Sequence, residues 1–301
     1  MNSYKDMPHL LQNKTLKIVV DLPLENYRLA RFDWTGKIVS VKFLGTEVSG
    51  QEKAGDKKHA QLGKGFYNEF GIVRPVGFEA AEVGGWFHKI GVGLLKKEDG
   101  QAYAFDKAYK IKPAAFKIHK ETQQITMRCT PPSVNGYAYV LHKEIRLLES
   151  GFQLHTRLEN TGEKTIATDE YNHNFLAIDS QFSKENYHLK FPFDLDPNNF
   201  EQSINPENSL CFDQKNMALN APVREPFFFS DLSGGKTFPA SWELTNQKRN
   251  FKIREEASFQ TNKVNVWGWK QVLSPELFCE VLVKPGQSME WSRTYSLSKL
   301  C

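Results

Sequence analysis

Cysteine is scarce in this chain and poorly placed for chemistry. The four residues, Cys129, Cys211, Cys279 and Cys301, lie far apart with no CxxC spacing, so neither a metal cluster nor a disulfide framework is expected. Long apolar runs are missing as well. Nothing approaches the ~18 consecutive apolar residues of a membrane-spanning helix, and residues 1–6 lack the apolar core of a secretory signal. Charge of one sign does not accumulate: the net charge is only +4 and the basic residues are scattered, which argues against nucleic acid as a partner. Extended amphipathic helical periodicity is absent, as are internal repeats and low-complexity segments. These absences predict a cytoplasmic protein in a reducing compartment, without membrane or nucleic-acid partners and without a metal or cofactor.

What is present points to sheets. Hydrophobic residues make up 40% and charged residues 25% of the 301, the balance of a globular chain with a sizeable core. Phe (22), Tyr (10) and Trp (6) are abundant, which suits strands and also flat surfaces on which sugars stack. Short alternating runs recur at roughly 8–12 residue spacings, broken by Pro113, Pro131-Pro132 and Gly136. Tyr27 to Asp33 and Lys37 to Phe43 read as a hairpin turning through Trp34-Thr35-Gly36. With no shift in composition, one all-β domain is expected over residues 1–301, residues 1–14 forming a tail or lead-in.

One stretch stands out chemically. The run from Gly151 to Asn160 alternates cleanly, with Phe152, Leu154, Thr156 and Leu158 on one face. After a Thr161-Gly162 turn comes Thr168-Asp169-Glu170-Tyr171-Asn172-His173-Asn174-Phe175, a strand that gives acids, amides and an imidazole places normally held by apolar residues. His173 titrates near neutrality when unperturbed and can give or take a proton; alone, it would read as a hydrogen-bonded core residue. Phe66-Tyr67-Asn68-Glu69-Phe70 is a second aromatic and amide cluster, placed between glycines. It offers Asn68 and Glu69 as substrate-binding candidates, beside Tyr171 and Asn172. Trp267 and Trp269 share one strand face and read either as a sugar platform or as core. His88 lies in a Gly-rich aromatic loop that could bring backbone close to a ligand.

These motifs resemble the galactose mutarotase-like superfamily, the aldose 1-epimerases and their relatives. Glu170-Tyr171-Asn172-His173-Asn174-Phe175 is similar to the epimerase motif in which an Asn-His pair precedes aromatics. Pro285-Gly286 followed by the run Trp291 to Leu297 resembles the family's closing turn and last strand. Gly63 to Ile72 sits where epimerases carry two arginines, both missing here; Lys64 or Arg74 would have to replace them. The resemblance implies a large antiparallel β-supersandwich whose concave sheet binds a small-molecule sugar, as a monomer or homodimer. It also implies interconversion of α and β anomers of a hexose or modified hexose by general acid–base catalysis. His173 would protonate the ring oxygen while a glutamate takes the C1 hydroxyl proton, and His88 would be the second ring-contacting histidine that epimerases often have, or else structural. The alternatives are a non-catalytic carbohydrate-binding protein and a lyase or glycosidase on the same sandwich. Glu276 and Glu280 are the candidates for the base, on one strand face about 13 Å apart. Glu276 is preferred because it sits at a strand edge beside Pro275. The acid and base are expected on opposite sides of one pocket, roughly 5–8 Å apart.

Overall fold

In the strand Ile166–Asn174, Ile166, Thr168, Glu170, Asn172 and Asn174 are all buried, and so are Tyr171 and His173 of the opposite parity. Such a strand must be covered on both faces, and the computed structural model, which describes residues 9–53, 62–178, 187–270 and 272–300, shows by what. The chain folds into two 10-stranded antiparallel sheets and one 3-stranded sheet, with no α-helix among the described residues. The first sheet runs in the order His9–Gln12, Leu16–Asp21, Lys37–Phe43, Phe66–Phe70, Ile166–Asn174, Val272–Val283, Val264–Trp269, Phe227–Ser230, Gln202–Ile204, and Thr46–Glu47 pairs off to one side. The second carries the long meander Phe251–Thr261, Ser288–Lys299, Gly151–Asn160, Tyr139–Leu148, Gln124–Thr130, Ala115–Lys120, with four further strands beyond Phe251–Thr261. The expected all-β antiparallel sandwich is what forms.

One face of each sheet closes the main core. Ile18, Ile38 and Phe66 of the first sheet meet Ile145, Phe152, Leu154 and Tyr295 of the second, and Phe152 stacks on Tyr295 with ring centroids 4.6 Å apart. Each large apolar side chain so buried contributes about 1.5–3 kcal/mol. The alternation read from Gly151–Asn160 is present: Phe152, Leu154, Thr156 and Leu158 point inward and their neighbours are half-exposed.

The other face of the first sheet is also covered, by an aromatic cluster that includes Tyr27, Phe32, Tyr67, Phe87, Phe175 and Val272. Here two expectations are corrected. Residues 27–33 are not a strand but an irregular loop. The Asp33 carboxylate accepts hydrogen bonds from Thr35 N at 2.7 Å and Thr35 Oγ at 2.6 Å, and Leu24 and Asn26 take positive φ, so the backbone turns instead of extending. His9–Gln12, expected in a lead-in, is an edge strand paired with Leu16–Asp21; residues 1–8 lie outside the described residues.

Candidate functional site

Strand pairing builds the site. Ile166–Asn174 and Val272–Val283 are antiparallel neighbours, in register from Ile166↔Val283 to Tyr171↔Phe278, and the same register resumes at the Leu176↔Leu273 bridge. Between those points the ladder is interrupted around Pro275, which has no N–H to give; its carbonyl accepts instead from Asn174 Nδ2 at 2.7 Å. That register sets His173 across from Glu276, on the face where directly opposed side chains touch. His173 Nε2 lies 3.2 Å from Glu276 Oε1. Ser274 Oγ joins both, at 2.7 Å from His173 Nδ1 and 3.2 Å from Glu276 Oε1. The expected separation across a pocket is therefore wrong for this structure: cross-strand partners are side by side. Glu276 is not at a strand edge either, but inside a 12-residue central strand. Glu280 lies further along the same strand and is exposed.

Aromatic rings enclose the pair. Phe175 stacks on the His173 ring with centroids 4.1 Å apart and planes 9° from parallel. Trp267 and Phe32 meet it edge-on at 5.7 Å and 6.0 Å. Gly63 allows this packing, since a Cβ there would fall 2.4 Å from the Phe175 ring. Both His173 and Glu276 are only 4% exposed.

Burial therefore dominates the electrostatics. Loss of hydration holds the His173 imidazolium pKa well below its usual 6.5, and the Arg31 charge pushes the same way. Loss of hydration raises the Glu276 carboxyl to about 8, against the opposing pull of Arg31 and Ser274. At neutral pH the pair then holds one proton, and it sits on Glu276. The hydrogen-bond pattern that agrees has His173 Nδ1–H donating to Ser274 Oγ, Ser274 donating to Glu276, and the Glu276 acid donating to Nε2.

Beside the pair lies a charged cluster. Glu69 accepts from Tyr171 Oη at 2.6 Å, Arg31 Nε at 3.0 Å and Lys89 Nζ at 3.3 Å. Burial lowers the Lys89 pKa, with Glu69 working against it. Arg31 also lies over the Phe32 and Phe105 rings, 4.6 Å from each centroid. Neither Lys64 nor Arg74 contacts His173 or Glu276; the nearby guanidinium is Arg31, from the 27–33 loop.

Of the residues singled out by sequence, His173, Glu276, Glu69, Tyr171 and Trp267 gather on this face. Trp269 shares it but lies toward the rim, donating to Arg224 O at 2.9 Å. Asn68 and Asn172 do not join them. Strand parity turns both between the sheets, where Asn68 donates to Glu170 Oε1 at 2.5 Å and Asn172 to Tyr295 Oη at 2.7 Å, so neither faces the His173–Glu276 pair. His88 is fully buried elsewhere, its Nε2 3.1 Å from Tyr137 O and its pKa lowered by burial to about 4. Arg31, Phe32, Phe175 and Ser274 were not anticipated. Phe175 and Ser274 could have been found by parity, two residues from His173 and Glu276. Nothing in a loop sequence marks Arg31 or Phe32.

Solved structures share this architecture. A proposed aldose 1-epimerase from Escherichia coli K12 superposes over 98% of this chain and 99% of its own, with TM-score 0.61 and 11% identity. A galactose mutarotase-like protein from Clostridium acetobutylicum covers 97% and 95%, with TM-score 0.59 and 13% identity. The fold is galactose mutarotase-like. A galactose mutarotase related enzyme from Lactobacillus acidophilus extends the set of mutarotase-like neighbours, at 98% of each chain, TM-score 0.59 and 12% identity. No family model matches the sequence, and neither does the sequence of any curated protein. At such identities the mutarotase-like likeness concerns the fold, and activity has to be argued from the residues.

Proposed function

We propose that this chain is an aldose 1-epimerase-like enzyme, interconverting the α and β anomers of a hexose or modified hexose by general acid–base catalysis. The observation that carries the reading is the His173–Glu276 contact at 3.2 Å on the face of the first sheet that turns away from the second, in a mutarotase-like fold. Ring opening of a pyranose needs a proton delivered to the ring oxygen and another removed from the C1 hydroxyl. Both oxygens hang from one carbon, so an acid and a base set close together can serve both. A pair holding one proton is competent: one member gives while the other takes, and ring closure after rotation about C1–C2 reverses the roles. Each role is worth about 10²–10⁴ in rate. The resemblance gives the proton to His173; burial favours Glu276 as its resting place. Trp267 supplies a flat surface for the C–H face of the ring. A sugar reaching the pair displaces Phe32, whose ring meets His173 edge-on.

The test is exchange NMR of α and β anomer signals over a panel of free sugars. Wild-type protein should speed exchange of at least one sugar, and His173→Asn should lower that rate by at least about 10² in a folded protein. One observation favours a second reading, sugar binding without turnover: the polar atoms of His173 and Glu276 are spent on each other and on Ser274. Saturable sugar binding with no anomer exchange by the wild type would select it.

A further inference from the structure

The solvent face of the second sheet is charged, and most of its charges alternate. Glu243 stands directly opposite Arg254, Lys252 reaches Glu243 at 3.3 Å, and Arg157 stands opposite Glu290, with Nε 2.9 Å from its carboxylate. One row breaks the pattern. Lys117, Arg128, His142 and Arg157 are directly opposed across four neighbouring strands. Burial and the neighbouring Arg128 and Arg157 hold the His142 pKa below 6.5, so the directly opposed like charges are Lys117 and Arg128, which repel. At the far end Arg157 is neutralised by Glu159 and Glu290, and the His142 ring lies 3.6 Å from Glu159. Lys117 and Arg128 have no carboxylate partner among the described residues. They line a groove of about 470 Å³ together with Thr126 and His142, within the range of small-ligand sites.

We infer that this groove is an anion site, remote from the His173–Glu276 pair, that takes a phosphate group as the monoester of a small metabolite or as the free ion. Lys117 and Arg128 provide two uncompensated positive charges, matching one phosphate dianion. The Arg128 guanidinium can make paired charge-assisted hydrogen bonds to phosphate oxygens, Lys117 adds a point charge, and the Thr126 hydroxyl and His142 ring border the same space. Glu144, the one carboxylate lining the groove, is held by Arg146 at 2.8 Å. Binding relieves the repulsion along the row, which is what distinguishes this patch from the paired charges around it.

Calorimetric titration with inorganic phosphate and with glycerol phosphate, which has no anomeric centre to engage the His173–Glu276 pair, tests the assignment at fixed ionic strength. Wild-type protein should bind at least one of them saturably. Arg128→Gln should weaken that binding at least about tenfold, the effect of a charge-assisted hydrogen bond, while Lys252→Gln on the same face should leave it unchanged. Tighter binding of glycerol phosphate points to an ester, and equal binding to the phosphate group alone; either supports the site. No saturable binding, or equal losses in Arg128→Gln and Lys252→Gln, would overturn it. Tighter binding of a single-stranded RNA oligomer than of either phosphate would overturn the small-ligand assignment. Thermal unfolding without phosphate gives a check independent of affinity: Arg128→Gln should melt no lower than wild type, and a lower melting temperature would make Arg128 a structural residue.

Discussion

The strand Ile166–Asn174 carries buried polar groups on both faces. The His173–Glu276 pair on one face is built on terms opposite to the cluster between the sheets, while Glu69 beside the pair is saturated by Arg31, Lys89 and Tyr171. Between the sheets, Arg293 reaches Glu170 at 2.6 Å and Glu255 at 2.7 Å. Glu170 also accepts from Asn68 and Trp291, and Glu255 from Trp242 and Asn174. Nearby, Lys143 is paired with Asp33 and donates to Asn68 at 2.8 Å. Each of these carboxylates has a cation and further donors. On the other face of the first sheet Glu276 has only Ser274 and His173, and no cation bonded to it. Saturating a buried charge fixes it; leaving a buried acid and imidazole to each other leaves a proton free to move. The first arrangement specifies how the sheets pack, and the second suits chemistry.

The largest expected effect comes from breaking the saturated cluster. Arg293→Met would leave Glu170 and Glu255 facing each other without a cation, and should cost about 3–5 kcal/mol, read as the urea unfolding midpoint. A loss below ~1 kcal/mol would mean the network is not what holds these carboxylates. By contrast, Glu276→Gln should change stability little near neutrality, because glutamine mimics the protonated acid already there.

The proton on Glu276 sharpens the contrast through pH. Its folded pKa of about 8 lies above the ordinary 4.5, so its contribution to stability is full below about 4.5 and is lost as pH rises through about 8. His173 runs the other way: held below 6.5, it contributes fully above 6.5 and loses that contribution as pH falls through its folded value. Glu276→Gln should therefore gain stability relative to wild type as pH climbs from 5 to 9, while His173→Asn should gain as pH falls below 6.5. Unfolding curves at several pH values would show either slope; flat differences would contradict the shifts. In catalysis the alkaline limb belongs to Glu276 and the acid limb to His173, the reverse of the assignment expected from unperturbed side chains.

A smaller effect is expected at the platform. Trp267→Ala removes an aromatic surface worth about 0.5–1.5 kcal/mol, so KM should rise several-fold with kcat nearly unchanged. A fall in kcat alone would make Trp267 a positioning residue for the His173 ring it touches edge-on.

Alternation within each strand was readable from sequence, and it located much of this. Phe152, Leu154, Thr156 and Leu158 point inward as read, and Glu276 and Trp267 leave their strands on the face opposite the core. Register between strands was not readable, because it depends on which segments pair. That is why 5–8 Å was expected where cross-strand contact brings 3.2 Å. Asn68 and Asn172 were placed with Glu69 and Tyr171 for a different reason: these two strands carry polar residues on both faces, so the sequence does not show which parity meets the core. The loop supplying Arg31 and Phe32 carried alternating apolar residues that suggest a strand, and the Asp33 turn overrides them. His88 lay beside glycines as a ligand-binding histidine would, yet its ring is packed 5.4 Å from Tyr139.

Anomer exchange measured by NMR on Glu276→Gln beside wild type bears most directly on the His173–Glu276 pair. Glutamine keeps the shape but can neither give nor take the shared proton, so exchange should drop by at least about 10² while sugar binding by calorimetry persists. Exchange at the wild-type rate in the folded variant would contradict the proposed chemistry and move the search for the acid or base to Glu69.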